Sequence, residues 1–347
     1  MRKPIRVLIV ALLATVALLA AGCSRTRAVS ESRQALGTAI QIDVYPKDAD
    51  TEGTKIAVDR AFSAISGVEH ALSPYDESSA IAKLNSDPYS PRKLPADALE
   101  VIDRVQALAV RQQFSPALFG VTNLYDFGGK GSVPATGALG VEVDTAASFH
   151  VQDDGTAAFG WTGTWAASRP AIEAIPGLDF GGASKGLAID RAAAVLQGLP
   201  ALITAGSSTY AIGSKPDGEP WRIGIEDPRA AGQVLAVVSA EGTLSVSTSG
   251  DYQTYFERDG VRYHHILDPA TGMPARGLRS LAVFGRLPAL DADILSTALF
   301  VMGREDALAY ARAHGVGVYL VDDAGTPASF IPKDTGVTLK TEADPTR

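Results

Sequence analysis

Three short segments of this chain hold side chains whose types and spacing suit phosphate and metal chemistry. The first, Leu178-Asp179-Phe180-Gly181-Gly182-Ala183-Ser184-Lys185-Gly186, reads as the end of a strand, a glycine turn and the start of a helix. Gly181 and Gly182 carry no Cβ, so backbone there can approach a ligand closely. Ser184 suits the cap of the following helix, and the free N–H groups of a helix N-terminus attract anions. Lys185 adds a positive charge at the same end, and the set suits a diphosphate. The spacing matches neither a P-loop nor a dinucleotide-binding fingerprint, so a plain strand-to-helix turn stands as the alternative.

The second segment is Tyr263-His264-His265-Ile266-Leu267-Asp268-Pro269-Ala270-Thr271-Gly272, a strand running into a turn. Histidine serves as a general base near neutral pH, and Asp268 is close enough in sequence to orient it or to bind a metal. A surface or core role for the two histidines is the competing reading. The third segment is Asp291-Ala292-Asp293-Ile294-Leu295-Ser296-Thr297. Asp293 and Thr297 are four apart, so a helix sets both oxygens on one face. A carboxylate with a hydroxyl is a hard-oxygen pair suited to Mg²⁺, and a helix cap by Asp291 or Asp293 is the alternative.

Positioning these segments needs helices and strands in no strict βαβ rhythm. Helical spacing at Val58, Phe62, Ile65, Val68 and Leu72, and again at Leu99, Ile102, Val105 and Leu108, predicts two amphipathic helices. Alternation at Trp221, Ile223 and Ile225 predicts a strand, with Arg222, Gly224 and Glu226 on its other face. Apolar β-rich runs at 202–204, 235–238 and 318–321 predict more strands, and Asp153-Asp154-Gly155 predicts a hairpin turn. The pattern favours an α+β fold. The chain has 347 residues, 46% of them hydrophobic, which excludes wholesale disorder and allows one large domain or two. Its 39 acidic and 31 basic residues give a net charge of −8, which argues against a nucleic-acid partner. A single cysteine excludes an internal disulfide framework and a thiolate metal cluster.

That cysteine follows a telling leader. Arg2, Lys3 and Arg6 precede residues 7–22, which hold no charge and end in Ala20-Ala21-Gly22 before Cys23. The stretch is too short to span a bilayer and reads as an export signal. Its small residues before Cys23 resemble a bacterial lipobox. Removal of residues 1–22 and lipidation of Cys23 are therefore expected, with a plain signal peptide or short anchor as the alternative. Residues 23–32 then read as a tether, 33–330 as the domain and 331–347 as a polar tail.

Taken together and in order, the segments resemble the FAD:protein FMN transferase family, the ApbE flavin transferases. Further matches are Ala35-Leu36-Gly37-Thr38, Leu72-Ser73-Pro74-Tyr75, Phe114-Ser115-Pro116, Asn123-Leu124-Tyr125-Asp126-Phe127-Gly128 and Ser249-Gly250-Asp251-Tyr252. The resemblance spans nearly the whole mature chain. It implies the α+β fold of that family, a T-fold-like mixed core with a smaller appended subdomain. It also implies an enzyme that binds FAD and Mg²⁺, splits the pyrophosphate, joins FMN to a Ser/Thr hydroxyl of an exported acceptor protein and releases AMP. Acceptors of the family carry an Asp-x-x-Ser/Thr-Gly-Ala-Thr type of sequence.

By the same resemblance, Leu36, Tyr75, Gln113, Phe114, Ser115, Asp179, Lys185 and Ile266 bind the cofactor. His265 and Asp293 are catalytic, and Asp293, Thr297 and the Gly182 carbonyl hold Mg²⁺. The sequence departs from the pattern at Leu36, which replaces methionine, and at Ser115, which replaces a common aspartate. It departs most at Ser207-Ser208, where the family has Asp, Asn or Glu after Gly-Gly. That last change keeps in view an FAD-binding lipoprotein without turnover, and an FAD pyrophosphatase, which differs from the transferase only in its acceptor, is the other alternative.

Overall fold

Strands buried on both faces form the middle of the central sheet, and alternating ones its first edge, in the computed structural model, which describes residues 28–46, 51–134, 149–159 and 176–341. Residues 1–22 and Cys23 lie outside the described residues. In chain order the structure opens with β1 (Val29–Ala35), β2 (Thr38–Val44), α1 (Thr51–Leu72), α2 (Ala80–Ser86), β3 (Arg92–Lys93), α3 (Ala96–Ala107) and α4 (Phe119–Leu124). It continues with β4 (Phe149–Val151), β5 (Thr156–Phe159), α5 (Gly181–Val195), β6 (Ala201–Ala205), β7 (Ser208–Ile212), β8 (Trp221–Asp227) and β9 (Ala230–Ala240). Then come β10 (Leu244–Gly250), β11 (Tyr255–Arg258), β12 (Val261–His264) and β13 (Leu278–Gly285). It closes with α6 (Ala289–Met302), α7 (Arg304–His314), β14 (Gly317–Asp322), β15 (Pro327–Phe330) and β16 (Thr338–Thr341).

Eight strands form one antiparallel sheet in the order β1-β2-β6-β7-β10-β13-β14-β15. Its two faces bury different partners. Leu281 and Val283 of β13 join the core beneath α1, α5 and α6. The alternate residues Ala282 and Phe284 pack with Trp221, Ile223 and Ile225 of β8 and with Val238 of β9 in a second core. A three-stranded sheet, β16-β9-β8, therefore covers the face opposite the helices. Two smaller units complete the topology, the sheet β3-β5-β4 and the hairpin β11-β12.

The expected helix at Val58–Leu72 spacing is α1, which buries all five residues of that stripe. On α3 the buried stripe runs through Ala98, Val101 and Val105, with Leu99, Ile102 and Leu108 half-buried beside it. The predicted turn at Asp153-Asp154-Gly155 joins β4 to β5, with Gly155 at φ 81°.

Both boundary expectations move outward. Val29–Ser32, read as tether, pair with Gln41–Val44 as part of β1. Their polar character suits an edge strand, where charges such as Arg33 and Glu31 discourage further pairing. Residues 338–341, read as tail, form β16 against β9, again an edge position that tolerates polar side chains.

Candidate active site

The site is assembled where α5 meets α6. The two helices touch backbone to backbone at Gly186, because a Cβ there would lie 2.4 Å from the Ala289 carbonyl oxygen and 2.7 Å from Leu290 Cα. The start of α6 is capped from α5 as well. Asp190 accepts the Ala289 and Leu290 N–H groups at 2.8 and 3.0 Å. Asp291 and Asp293 are thereby released from capping. Asp291 makes a two-pronged pair with Arg104 at 2.9 and 2.5 Å, which ties α6 to α3.

Asp293 points the other way, into a hydroxyl-lined site, and is 3% exposed. Its Oδ2 accepts the Gly186 N–H at 2.9 Å. Its Oδ1 accepts the hydroxyls of Ser208 and Ser247, each at 3.1 Å. The Lys185 ammonium stands 3.8 Å from Oδ1 and donates to the Gly181 carbonyl at 3.4 Å. One turn along α6, Thr297 Oγ1 lies 3.2 Å from Ser249 Oγ, and Ser296 bridges Ser249 and Ser247 at 2.9 and 3.3 Å. Gly182 lies against the same hydroxyl, since a Cβ there would sit 3.6 Å from Thr297 Oγ1 and 2.9 Å from the Phe114 ring.

Ser184 does not cap α5. Phe180 occupies the cap position, Ser184 is buried inside the helix, and Asp179 Oδ1 accepts the Gly181 N–H at 2.8 Å instead. A residue needs extended backbone just outside the helix to act as its cap, and Ser184 is already in the second turn. Burial pushes the Asp179 carboxyl up from its ordinary value, against the pull of the Gly181 N–H and the Lys185 charge.

His264 and His265 diverge. His264 is buried and donates from Nε2 to the Ala275 carbonyl at 2.8 Å. His265 faces the cavity with Nδ1 3.2 Å from the Thr254 carbonyl. A carbonyl only accepts, so Nδ1 carries the proton and Nε2 keeps a free lone pair. Burial lowers the imidazole to about 4, so it is neutral at physiological pH. Asp268 does not orient it. Its carboxylate closes its own turn, accepting the Ala270 N–H at 2.9 Å and the Thr271 hydroxyl at 3.2 Å.

One cavity of about 390 Å³ is lined by Tyr75, Gln113, Phe114, Ser115, Asp179, Gly182, Lys185, His265, Ile266, Asp293 and Thr297. The structure thus brings together every site residue expected from sequence among the described residues except Leu36. That residue occupies the β1–β2 turn at φ 53°, its N–H donating to Glu69 Oε1 at 2.7 Å. Its neighbours Gly37 and Thr38 line a second cavity of about 610 Å³ that meets the first. Among the described residues no three His, Cys, Asp or Glu side chains gather as a metal cluster. A cation here would instead take one carboxylate, one hydroxyl and a backbone carbonyl.

The sequence segments contain Ser208, Ser249, Ser296 and Gly186 without the contacts these make around Asp293 and Thr297, and they leave out Ser247. A signal existed for the two strand serines, 247 and 249. Serines 245, 247 and 249 alternate with Val246 and Thr248 on a strand that is buried throughout, which marks a row of hydroxyls facing a polar interior.

Comparison with known proteins places the same architecture elsewhere. The family model described as the ApbE family matches residues 36–320. A Treponema pallidum protein named FAD:protein FMN transferase is 31% identical over 307 residues, covering 84% of this chain and 83% of the relative. A Vibrio cholerae protein of the same name is 28% identical, covering 88% and 90%. The crystal structure of the ApbE protein from Thermotoga maritima superposes with a TM-score of 0.73 at 27% identity, covering 87% of this chain and 96% of that one. The apo flavinyl transferase ApbE of Pseudomonas stutzeri gives 0.68 at 28% identity, covering 88% and 95%.

Proposed function

The chain belongs to the ApbE family, and from that footing we propose that it is a transferase that moves FMN from FAD to a Ser/Thr hydroxyl of an acceptor protein. The observation that carries the reading is the convergence of Lys185, Asp293, Thr297 and His265 on one cavity whose wall also offers aromatic and apolar side chains. Tyr75, Phe114 and Ile266 suit a flavin ring. Lys185 and the first turn of α5 suit the diphosphate.

The residues present fit Mg²⁺. Asp293, Thr297 and the Gly182 carbonyl supply hard oxygens, and the absence of a Cβ at Gly182 leaves its backbone against Thr297. The Gly186 N–H, which helical geometry directs toward the Gly182 carbonyl, is engaged by Asp293 Oδ2, and this favours a carbonyl free to accept elsewhere. Bound Mg²⁺ would neutralise charge on the diphosphate oxygens.

The chain's own groups do the rest. Lys185 holds phosphate oxygens, and the apolar wall orients the ring. His265 Nε2 takes the proton from the acceptor hydroxyl. The hydroxyl oxygen bonds to the flavin-side phosphorus, the bridging P–O bond breaks, and AMP leaves with its electron pair. The neutral imidazole, its Nδ1–H fixed by the Thr254 carbonyl, presents the lone pair that this step needs.

Export, with lipid attachment at Cys23, completes the proposal and would set the enzyme on an extracytoplasmic membrane face. No helix among the described residues is long and apolar enough to cross a membrane. The test incubates purified protein with FAD, Mg²⁺ and an acceptor bearing the Asp-x-x-Ser/Thr-Gly-Ala-Thr sequence. Covalent flavin fluorescence on the acceptor in a denaturing gel is the expected result. AMP and free FMN without labelled acceptor would replace the transferase reading with a pyrophosphatase.

A further inference from the structure

We propose that the second cavity is the docking groove of the acceptor, which enters as an extended strand along the free edge of β8 and presents its hydroxyl to His265. This rests on the transferase reading above. Three observations converge on it.

The first is continuity. The second cavity, about 610 Å³, shares Lys185, Ser207, Thr248 and His265 with the first, so the two meet at the reacting centre. In-line displacement needs the attacking hydroxyl to approach opposite the departing AMP. An acceptor therefore needs an entrance separate from the cavity that holds FAD, and this cavity offers one.

The second is the strand edge. In the order β16-β9-β8, β8 has β9 on one side and, among the described residues, no strand on the other. Ile223 points into the core between the sheets, whereas Gly224 and Glu226 point outward, yet all three line the cavity. A cavity touching residues from both faces of a strand must run along its edge, where N–H and C=O groups stand unpaired. An added peptide strand pairs with such groups.

The third is the lining. Gly37 and Gly206 form part of the facing wall, and Thr38, Thr209 and Thr248 add small hydroxyls. Such a wall admits a peptide backbone closely. Glu226 is the one acidic side chain of this lining. Lys185, its one basic side chain, is shared with the first cavity, so away from that junction the Glu226 charge disfavours the phosphate-bearing half of FAD.

The test uses the full chain loaded with FAD and a fluorescein-labelled peptide carrying the family acceptor sequence. Binding is read by anisotropy, and FAD affinity is read separately by calorimetry. Thr209 lies on β7 facing the second cavity and does not line the first, so Thr209→Tyr fills the groove with a residue that strands favour. Peptide affinity should fall at least roughly 10-fold, with FAD affinity unchanged within about twofold. In parallel, peptides N-methylated at one residue at a time are titrated against the unaltered protein. Losses should fall on alternate residues, because only every second N–H of an added strand faces its partner.

An equal loss of FAD affinity in Thr209→Tyr would assign the groove to the adenylate. Unchanged peptide binding, or N-methyl losses without alternation, would also overturn the proposal, and the N-methyl series stands even if the variant fails to fold. Peptide that binds with this pattern yet acquires no flavin would sink the transferase reading and leave the groove. Peptide that is flavinylated equally well by Thr209→Tyr would sink the groove and leave the transferase.

Discussion

Replacing Lys185 by methionine should move the two ligands of this site in opposite directions. The change keeps the stem's apolar packing and removes only the ammonium. FAD loses a charge-assisted contact to its phosphates, typically worth about 1.5–3 kcal/mol, or roughly a 10- to 150-fold weakening. Riboflavin has no phosphate and should bind as weakly as before. The cation behaves differently. The ammonium stands 3.8 Å from Asp293 Oδ1, with 22% of the lysine side chain exposed. Two unit charges about 4 Å apart interact by about 4 kcal/mol at an effective dielectric of ~20, and partial exposure screens much of that. Retaining about a third gives ~1.4 kcal/mol, so a divalent cation should bind the FAD-free variant roughly 10-fold more tightly. Isothermal titration of FAD, riboflavin and Mg²⁺ against both proteins reads all three effects. Equal losses for FAD and riboflavin would mean that Lys185 holds the ring or the fold. Weaker Mg²⁺ binding by the variant would refute the idea that lysine and cation compete for Asp293.

Three further outcomes are expected. Gly186→Ala should force α5 and α6 apart, since its Cβ would meet the Ala289 carbonyl oxygen at 2.4 Å, and destabilise the protein by at least ~1–3 kcal/mol in urea titration. An unchanged midpoint would contradict the packing. Asp293→Ala, judged from helix propensity alone, would leave the fold intact. The structure instead predicts a loss of about 1–3 kcal/mol in the same titration, because the Gly186 N–H and two serine hydroxyls lose their acceptor. Burial holds His265 at about 4 against an ordinary value near 6.5, so between these the unfolded chain takes up a proton that the fold refuses. Stability should therefore fall as pH drops from about 6.5 to about 4, and His265→Gln should flatten that slope in thermal melts. An identical slope in the variant would assign the acid sensitivity to other groups.

What the sequence made legible was whatever a short run of residues determines by itself. The stripe from Val58 to Leu72 fixes its own helix, and the alternation from Trp221 to Ile225 fixes its own strand. Asp293 and Thr297 share a face because they stand four positions apart on one helix. Long-range partners were not legible. Nothing near Asp190 in sequence says that its carboxylate will cap a helix 99 and 100 residues away. The edge strands at 29–32 and 338–341 look polar because edges need no second apolar neighbour, so a composition reading assigned them to tether and tail. Leu36 kept its place in a matching segment but not in the first cavity, since a two-residue hairpin turns it toward Glu69.

Ser208 shows how far such a departure carries once its partners are visible. Read in sequence, the missing acidic or amide group threatened metal or flavin binding. In the fold its hydroxyl donates to Asp293 Oδ1 at 3.1 Å and contacts Ser247 Oγ at 2.9 Å. An acidic residue at that position would set a second carboxylate against Asp293, and like charges at such a distance raise one pKa unless a cation is present. Serine removes that conflict. Asp293 then has Lys185 as its only charged neighbour among the described contacts. The exchange implies a site that carries less negative charge before ligands arrive. Ser208→Asp is the direct probe of that step, read by Mg²⁺ titration without FAD. Added negative charge should tighten Mg²⁺ binding in the FAD-free protein, and an unaltered affinity would show that position 208 stands outside the cation's field.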